Sequence, residues 1–240
     1  MKTVLSKLRS AVQQYDMIEA GDRIAVGVSG GKDSMALLAA LHEFRRFSLV
    51  PFTITAITLD PVFHGKQTDY SPVEQWCAER GVRYVVKRTD IFQVALEAGG
   101  QNKPCSLCAK LRRGILHNTA LEEGCNVVAL GHHRDDAVQT FFMNLLDGGR
   151  VDCFSPVTYL SRKNLRMIRP LIFLEERDIS GAVRRKGLPV VKSRCPVDGH
   201  TERTRMKQLI VELERQYPAL RQKIIGAMQK DNIAGWEFRV

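Results

Sequence analysis

The sequence predicts an α/β fold: a doubly wound, mainly parallel sheet with helices on both faces, followed by a helical C-terminal segment. Short β-rich stretches alternate with amphipathic helical stretches, which is the pattern of a parallel sheet covered on both sides. The first β-rich stretch ends in a run of glycine and serine, and a helical pattern opens immediately after it. The last forty or so residues carry helical patterns alone.

The elements follow from local periodicity, composition and turn residues. Strands are predicted at 23–28, 52–60, 82–88, 126–131, 167–172 and 189–192. Helices are predicted at 32–44, 71–81, 105–124, 135–149, 175–187, 202–216 and 218–230. An amphipathic helix is expected before the first strand. Ligands of such sheets bind at the carboxyl ends of the strands, so the loops that follow the strands are the first places to look for function.

The composition of the chain indicates which kinds of partner and which cell compartment to expect. The chain has 240 residues, 44% of them hydrophobic, and 36 Lys and Arg against 26 Asp and Glu, which gives a formal net charge of +10. That excess suits a polyanion such as a nucleic acid, although a basic protein without such a partner would look the same. No apolar stretch has the length of a membrane span, and the N-terminal residues lack the pattern of a signal peptide. We therefore expect a cytoplasmic protein.

The stretch VGVSGGKDS, residues 26–34, predicts an anion site. Its glycines allow close backbone approach, the helix that follows offers free N–H groups, and Lys32 adds a positive charge. The spacing is not that of a Walker A loop. It does match the G-x-S-x-G nucleophile elbow, with Ser29 as the nucleophile, but that motif explains neither Lys32 nor Asp33. A tight turn without a ligand is the third interpretation.

Two further patterns carry ligating or acid–base groups. Cys105 and Cys108 form a C-x-x-C pair at the start of a helix, and Cys195 stands alone near His200. Zinc held by three cysteines and His200 and a [4Fe–4S] cluster with an open iron both fit. Cys77, Cys125 and Cys153 are expected in packing or surface positions. Disulfides are not expected in a reducing compartment.

The stretch GHHRDD, residues 131–136, follows another predicted strand. Asp135 and Asp136 open the next helix, where acidic side chains are stabilised. One acid is expected to cap the helix. At least one is expected at the anion site, binding Mg²⁺ or assisting attack at the reacting atom. His132 and His133 are as compatible with a structural role as with a functional one.

The six residues SGGKDS resemble the PP-loop of the ATP-pyrophosphatase superfamily, whose members adenylate a substrate and release pyrophosphate. The resemblance implies that Ser29, Gly30, Gly31, Asp33 and Ser34 cradle the phosphates of ATP, and that Lys32 stabilises charge in the transition state. It also implies that Asp60, at the end of the second strand, lies beside the adenosine. The pyrophosphate part of ATP is then the anion that the glycine-rich turn binds.

Together with SGGKDS, the patterns PCSLCAKLRRGIL and ALGHHRDDAVQTFFMNLL and the later Cys195 resemble the tRNA 2-thiocytidine synthetase family, from about Gly21 to His200. The resemblance implies an AMP-forming tRNA sulfurtransferase, with ATP, Mg²⁺ and a [4Fe–4S] cluster bound by Cys105, Cys108 and Cys195. It further implies a homodimer and a sulfur donor, either a cysteine desulfurase or sulfide. A PP-loop domain over 1–200 with an inserted C-x-x-C helix, and a helical segment over 201–240, are expected.

The segment RCPVDGH differs from the C-x-x-C-G pattern of better-known members, so thiolation of a uridine stays open beside thiolation of a cytidine. In either case adenylation makes the pyrimidine C2 oxygen a leaving group, and sulfur then attacks C2. Phosphate contacts with tRNA are expected from basic residues on two helices: Arg112, Arg113, Arg184, Arg185 and Lys186. A serine hydrolase using Ser29 and a non-catalytic, zinc-containing RNA-binding protein are the alternatives from other classes.

Overall fold

One sheet organises the part of the chain that the structure, a computed structural model, describes, namely residues 1–99, 104–195 and 202–237. Its strand order is β3-β2-β1-β4-β6-β5. β1, β2, β3, β4 and β6 run parallel to one another, and the edge strand β5 is antiparallel to β6. The strands are β1 (Asp22–Gly27), β2 (Phe52–Asp60), β3 (Arg83–Arg88), β4 (Val127–Ala129), β5 (Val157–Leu160) and β6 (Leu165–Ile168). The predicted fold class is confirmed.

Helices cover both faces of the sheet because alternate strand residues point to opposite sides. The core on one face joins α1, α2, α3 and α6 to α9, whereas the core on the other face contains Leu116 and Ala120 of α5. Within the described residues the α-helices are α1 (Lys2–Gln14), α2 (Lys32–Phe44), α3 (Ser71–Ala78), α4 (Ile91–Gly99), α5 (Pro104–Glu122), α6 (Arg134–Leu146), α7 (Glu176–Lys186), α8 (Glu202–Gln216) and α9 (Leu220–Lys230).

Two predicted strands differ from the structure, and two observed elements were not predicted. The strand predicted at 167–172 ends at Ile168, because Pro170 has no N–H to donate to a ladder. The strand predicted at 189–192 is wrong: these residues pair with no strand, and the Val191 N–H donates to the Gly30 carbonyl instead (2.9 Å). Two elements, β5 and α4, lie where no regular structure was predicted.

The chain after α7 returns along α2. Lys186, at the end of α7, pairs with Glu43 near the end of α2 (3.3 Å), whereas Val191 is bonded to Gly30 just before the start of α2. Residues 187–191 therefore span the length of α2, about 18 Å for a helix of this size. This return segment brings the chain back to the carboxyl edge of the sheet, four residues before Cys195.

Among the described residues, no helix combines the length and the apolar character that crossing a membrane requires.

Candidate functional site

Hydrogen bonds of two serines, Ser29 and Ser34, stabilise the turn between β1 and α2. The Ser34 hydroxyl accepts from the Ser29 N–H (3.2 Å) and donates to the Gly31 carbonyl (2.8 Å). The Ser29 hydroxyl lies 3.2 Å from that of Ser34 and accepts from the Gly31 N–H (3.3 Å). α2 starts at Lys32, so its first N–H groups face this turn. The turn therefore has the donors and the helix N-terminus of an anion site.

Two glycines allow other chain segments to approach this turn closely. Gly30 has φ +83, and a Cβ there would lie 2.9 Å from the Cβ of Val191. A Cβ on Gly131 would lie 3.1 Å from the Asp33 carbonyl and from the Ser34 nitrogen. Real Cβ atoms do not tolerate the first distance, so the approach of the return segment depends on the missing side chain at Gly30, whereas a side chain at Gly131 would require its neighbours to shift slightly.

A cleft of ≈ 380 Å³ opens at the carboxyl edge of the sheet, beside the turn. It lies between the turn, the ends of β2 and β4, and α5. The residues that line it are Gly27, Val28, Ser29, Asp33, Ser34, Ile57, Leu59, Ala109, Arg112, Arg113, Leu116, Leu130, Gly131, His132 and Asp136. The structure thus brings together three predicted residues of the turn, one of the two acids of GHHRDD, and two predicted RNA contacts.

The two acids of GHHRDD have different surroundings. Asp136 lines the cleft, and its carboxylate caps α6 by accepting the His133 N–H (3.0 Å). Asp135 is buried on the side of α7 and α9, where its carboxylate accepts the Glu176 N–H (2.8 Å) and pairs with Arg221 (2.9 Å). The cleft therefore receives one carboxylate from this motif, that of Asp136.

His133 lies among three carboxylates. Its Nε2 is 3.7 Å from Asp33 Oδ1 and 3.5 Å from Asp136 Oδ2, and its Nδ1 is 3.7 Å from Asp135 Oδ2. Asp33 and Asp136 thus flank one imidazole nitrogen, so the two oxygens are no farther apart than these two distances together. Carboxylate oxygens are the ligands that a phosphate-bound Mg²⁺ ion takes from a protein, so either carboxylate is a candidate ligand for such an ion at this turn.

The Lys32 side chain is directed toward α7. Its ammonium lies 3.0 Å from Asp33 Oδ2 and 3.2 Å from Glu176 Oε1. Burial lowers the pKa of Lys32, but the two carboxylates outweigh burial, and the net effect raises it. Lys32 is therefore a cation at any pH at which the protein is folded and active. Glu176 was not among the predicted site residues.

His132 is a cleft residue whose ring faces Phe154, with 5.0 Å between ring centroids. Burial, together with the nearby Arg169, lowers its pKa to about 4. Within the described part of the chain its Nδ1 has no hydrogen-bond partner. The imidazole is therefore neutral at physiological pH.

This neutral histidine predicts a pH effect on stability. Between its ordinary pKa near 6.5 and a folded pKa of about 4, the unfolded chain binds a proton that the folded chain does not, so stability falls as pH falls through that window. His132→Asn removes the titrating ring. We expect its free energy of unfolding to decline less steeply between pH 6.5 and 4 than that of the wild type, measured by urea denaturation. Equal slopes would contradict the prediction.

Ser29 is not arranged as a hydrolase nucleophile. In the described residues no histidine side chain hydrogen-bonds its hydroxyl, which is engaged with Ser34 and with the Gly31 N–H. An activated serine requires a base within hydrogen-bond reach. The geometry therefore favours the phosphate-binding interpretation of the turn.

The predicted residues outside the cleft lining include Lys32, whose side chain is directed toward α7, as well as Asp60 and three basic residues of α7. Both oxygens of the buried Asp60 carboxylate accept backbone N–H groups, from Val62 (3.2 Å) and Thr68 (3.0 Å), so its contact with adenosine stays a prediction. The basic residues at the end of α7 lie at the opposite end of α2 from the turn, where Lys186 borders a groove with Arg46 and Arg80. Those α7 residues are Arg184, Arg185 and Lys186.

One cysteine segment belongs to a helix that lines the cleft, and the other follows a residue that is bonded to the turn. Cys108 immediately precedes Ala109, a lining residue on α5, and Cys195 follows Val191, which is bonded to the turn, by four residues. Four residues span at most about 14 Å, which keeps Cys195 near this edge of the sheet. The Cys105 side chain and His200 lie outside the part of the chain that the structure describes. Within that part, no three His, Cys, Asp or Glu side chains lie close enough together to hold a metal ion.

Comparison with known proteins decides the family. The family described as PP-loop domain matches residues 2–214. The tRNA-cytidine(32) 2-sulfurtransferase of Syntrophotalea carbinolica is 39% identical over 91% of this chain and 85% of its own length. Those of Geobacter sulfurreducens and Paracoccus denitrificans are 36% and 38% identical, over 89% and 76% of their lengths. This chain belongs to the PP-loop family of tRNA-cytidine(32) 2-sulfurtransferases. The predicted resemblance is confirmed.

One solved structure agrees with this assignment, and a second agrees with the fold. The U34-tRNA thiolase NcsA from Methanococcus maripaludis, determined with its [4Fe-4S] cluster, superposes with a TM-score of 0.74 at 25% identity, covering 94% of this chain and 77% of that protein. The NH3-dependent NAD synthetase of Campylobacter jejuni has a TM-score of 0.50 at 14% identity, covering 100% and 98% of the two chains, which concerns the fold alone. The sulfurtransferases compared above support neither of the two alternative functions, a serine hydrolase using Ser29 and a non-catalytic RNA-binding protein.

Proposed function

We propose that this sulfurtransferase-family enzyme consumes ATP to replace the C2 oxygen of cytidine 32 in tRNA by sulfur, releasing AMP and pyrophosphate. The observation that carries the proposal is the shared cleft: the phosphate turn, Asp136 and the cysteine-bearing α5 meet at one edge of the sheet. The names of the relatives supply the base and its position. A base in the anticodon loop is accessible without opening a long duplex.

The first step is adenylation. The cytidine O2 attacks the α-phosphorus of ATP, the bond to the bridging oxygen breaks, and pyrophosphate leaves with the negative charge. The N–H groups of the turn, the first turn of α2 and Lys32 bind the phosphates where that charge develops. Asp33 and Asp136 would hold a Mg²⁺ ion, which neutralises the triphosphate.

The second step replaces the activated oxygen. A sulfur nucleophile attacks C2, the C2–O bond breaks, and AMP leaves with the former O2. A [4Fe–4S] cluster held by Cys105, Cys108 and Cys195 would supply an open iron that binds sulfide. Because α5 carries both Cys108 and the lining residue Ala109, sulfur delivered from this helix would have only a short distance to reach a base bound beside the phosphate turn.

The same proposal extends to partners. Arg112 and Arg113 line the cleft, so they are placed to contact the phosphates that flank the target base. Arg184, Arg185 and Lys186 would contact tRNA about one helix length away. Sulfur would come from a cysteine desulfurase or from sulfide. A homodimer, a cytoplasmic location and a domain boundary near residue 200 complete the proposal.

The decisive experiment is reconstitution without oxygen. Purified protein with its cluster rebuilt, ATP, Mg²⁺, sulfide and unmodified tRNA should yield 2-thiocytidine and AMP in equal amounts, measured by mass spectrometry of nucleosides. A tRNA with uridine at position 32 is the matched control and should yield no thiolated base. A thiolated uridine in that control would favour the uridine alternative. Absence of AMP and thiolated base with both substrates would contradict the function.

The two acids of GHHRDD should behave differently when each is changed to asparagine. Asp136→Asn removes charge from the cleft, so we expect AMP formation to fall by about 10²-fold or more while the fold persists. Asp135→Asn leaves Arg221 without its buried partner, so we expect the free energy of unfolding to fall by about 1–3 kcal/mol with the rate little changed. Rate assays and urea denaturation of both variants check this, and the reverse pattern would overturn the assignment.

A further inference from the structure

Glu176 connects the phosphate turn to a helix near the end of the chain. One carboxylate oxygen lies 3.2 Å from the Lys32 ammonium, and the other lies 2.6 Å from the ammonium of Lys207 on α8. The two lysines are thus separated by a single carboxylate. A carboxylate shared by two cations is neutralised more fully than one in a simple pair.

This carboxylate is well positioned. Glu176 is the first residue of α7, and its backbone N–H is held by Asp135 (2.8 Å). α7 packs against α2, the helix that starts at Lys32. Burial would raise the pKa of Glu176, but Lys207 and Lys32 outweigh it and lower the pKa to about 2. Glu176 is therefore ionised throughout the pH range in which the enzyme works.

α8 presents a second cation on the same face. Arg203, one helical turn before Lys207, lies 3.2 Å from the carboxylate of the cleft residue Asp136. Arg205 lies between them in sequence but pairs with Asp147 (2.8 Å) and Glu202 (2.7 Å) instead. α8 therefore directs Arg203 and Lys207, but not Arg205, toward carboxylates of the nucleotide site.

We propose that Glu176 and Lys207 are positioning residues for ATP: Glu176 holds Lys32 beside the turn, and Lys207 neutralises Glu176 so that a triphosphate can take Lys32 as its partner. The proposal rests on the proposed function, because it assigns ATP to the turn. It makes α8, which lies beyond the predicted domain boundary, a working part of the ATP site.

If this proposal is right, the effect of Lys207 on ATP binding depends on the charge of Glu176. Without Lys207, the Glu176 carboxylate has only Lys32 as its cation, so it competes with the triphosphate for Lys32 and repels it. Without the charge of Glu176, Lys207 has nothing to neutralise. Loss of Lys207 should therefore weaken ATP binding only while Glu176 is charged.

The test measures binding of a non-hydrolysable ATP analogue, with its α,β-bridging oxygen replaced by methylene, by calorimetry at low ionic strength. We expect Lys207→Gln to weaken binding about fivefold, the scale of a partly exposed ion pair. We expect Glu176→Gln to bind within about twofold of the wild type, and Lys207→Gln with Glu176→Gln to return to that value. Glu176→Gln should instead lower kcat for AMP formation severalfold, because Lys32 is less ordered. Arg205→Gln is the matched control on α8 and should change neither quantity.

Three results would overturn the proposal: wild-type affinity in Lys207→Gln, no rescue by Glu176→Gln in the double variant, or an equal loss in Arg205→Gln, which would indicate a general effect on α8. Circular dichroism of each variant separates loss of fold from loss of binding, and Glu176→Gln tests the pair even if Lys207→Gln does not fold. If the wild type does not bind the analogue at all, the proposed function fails first.

Discussion

Replacing Lys32 by alanine is expected to lower AMP formation by about 10²–10³-fold, because the turn then lacks its cation where negative charge develops on the leaving pyrophosphate. The fold should persist, since Lys32 is a partly exposed residue at the start of α2 and belongs to neither hydrophobic core. Single-turnover assays with ATP and tRNA measure the rate. Circular dichroism and thermal unfolding measure the fold.

Lys7 offers a matched control for this prediction. Its side chain is as exposed as that of Lys32, 34% against 32%, and it also pairs with a carboxylate of α7, that of Asp178 at 2.8 Å. Lys7→Ala therefore removes a comparable ion pair away from the turn and should leave the rate unchanged. Full AMP formation in Lys32→Ala, or an equal loss in Lys7→Ala, would contradict the role assigned to Lys32.

Replacing Cys108 or Cys195 by alanine is expected to abolish 2-thiocytidine formation while leaving ATP binding intact. The thiolates are the proposed cluster ligands, whereas the phosphate turn is built by a separate stretch of chain. Nucleoside mass spectrometry measures thiolation, and calorimetry measures nucleotide binding. After reconstitution, the visible absorbance band of charge transfer from thiolate to iron shows whether the cluster is bound.

Cys153 is the matched control for the cysteine prediction. Its thiol is buried, lies 3.4 Å from the Ala137 carbonyl, and has its pKa raised by burial to about 12, so it is a packing residue and no ligand. Cys153→Ala should cost stability on the order of 1 kcal/mol but retain thiolation. Thiolation by Cys195→Ala at the wild-type rate would refute the cluster assignment.

Local sequence was enough to predict the phosphate turn. Ser29, Gly31 and Ser34 bond to one another within six residues, so a short motif contains nearly all the information. The alternation of strand and helix likewise predicted the parallel sheet, because each element is formed by neighbouring residues. The resemblance to the tRNA 2-thiocytidine synthetase family likewise depends on short motifs, SGGKDS, PCSLCAKLRRGIL and ALGHHRDDAVQTFFMNLL.

Tertiary contacts were not predictable in this way. Glu176 looks like an ordinary acid in the first turn of a helix, and only the packing of α7 on α2 brings it to Lys32. Asp135 and Asp136 are adjacent in sequence, yet the helix turns one toward α9 and the other toward the cleft. Residues 189–192 have the composition of a strand, but they follow α7 along α2 to the turn, where Val191 bonds to Gly30 and not to a strand. The spacing of Arg203 and Lys207, four residues apart, indicates that they share one face of α8, but it does not indicate which carboxylates they contact.

The hydrogen bond from Val191 to Gly30 also bears on genetics. Gly30 must be glycine for two independent reasons, its φ of +83 and the Val191 Cβ that would lie 2.9 Å from any side chain. A substitution there would distort the phosphate turn and displace the chain that leads to Cys195 in a single event. Alleles that lose sulfur insertion but keep ATP binding and adenylation are therefore available at Cys195, whereas substitutions at position 30 can yield only alleles that lose both.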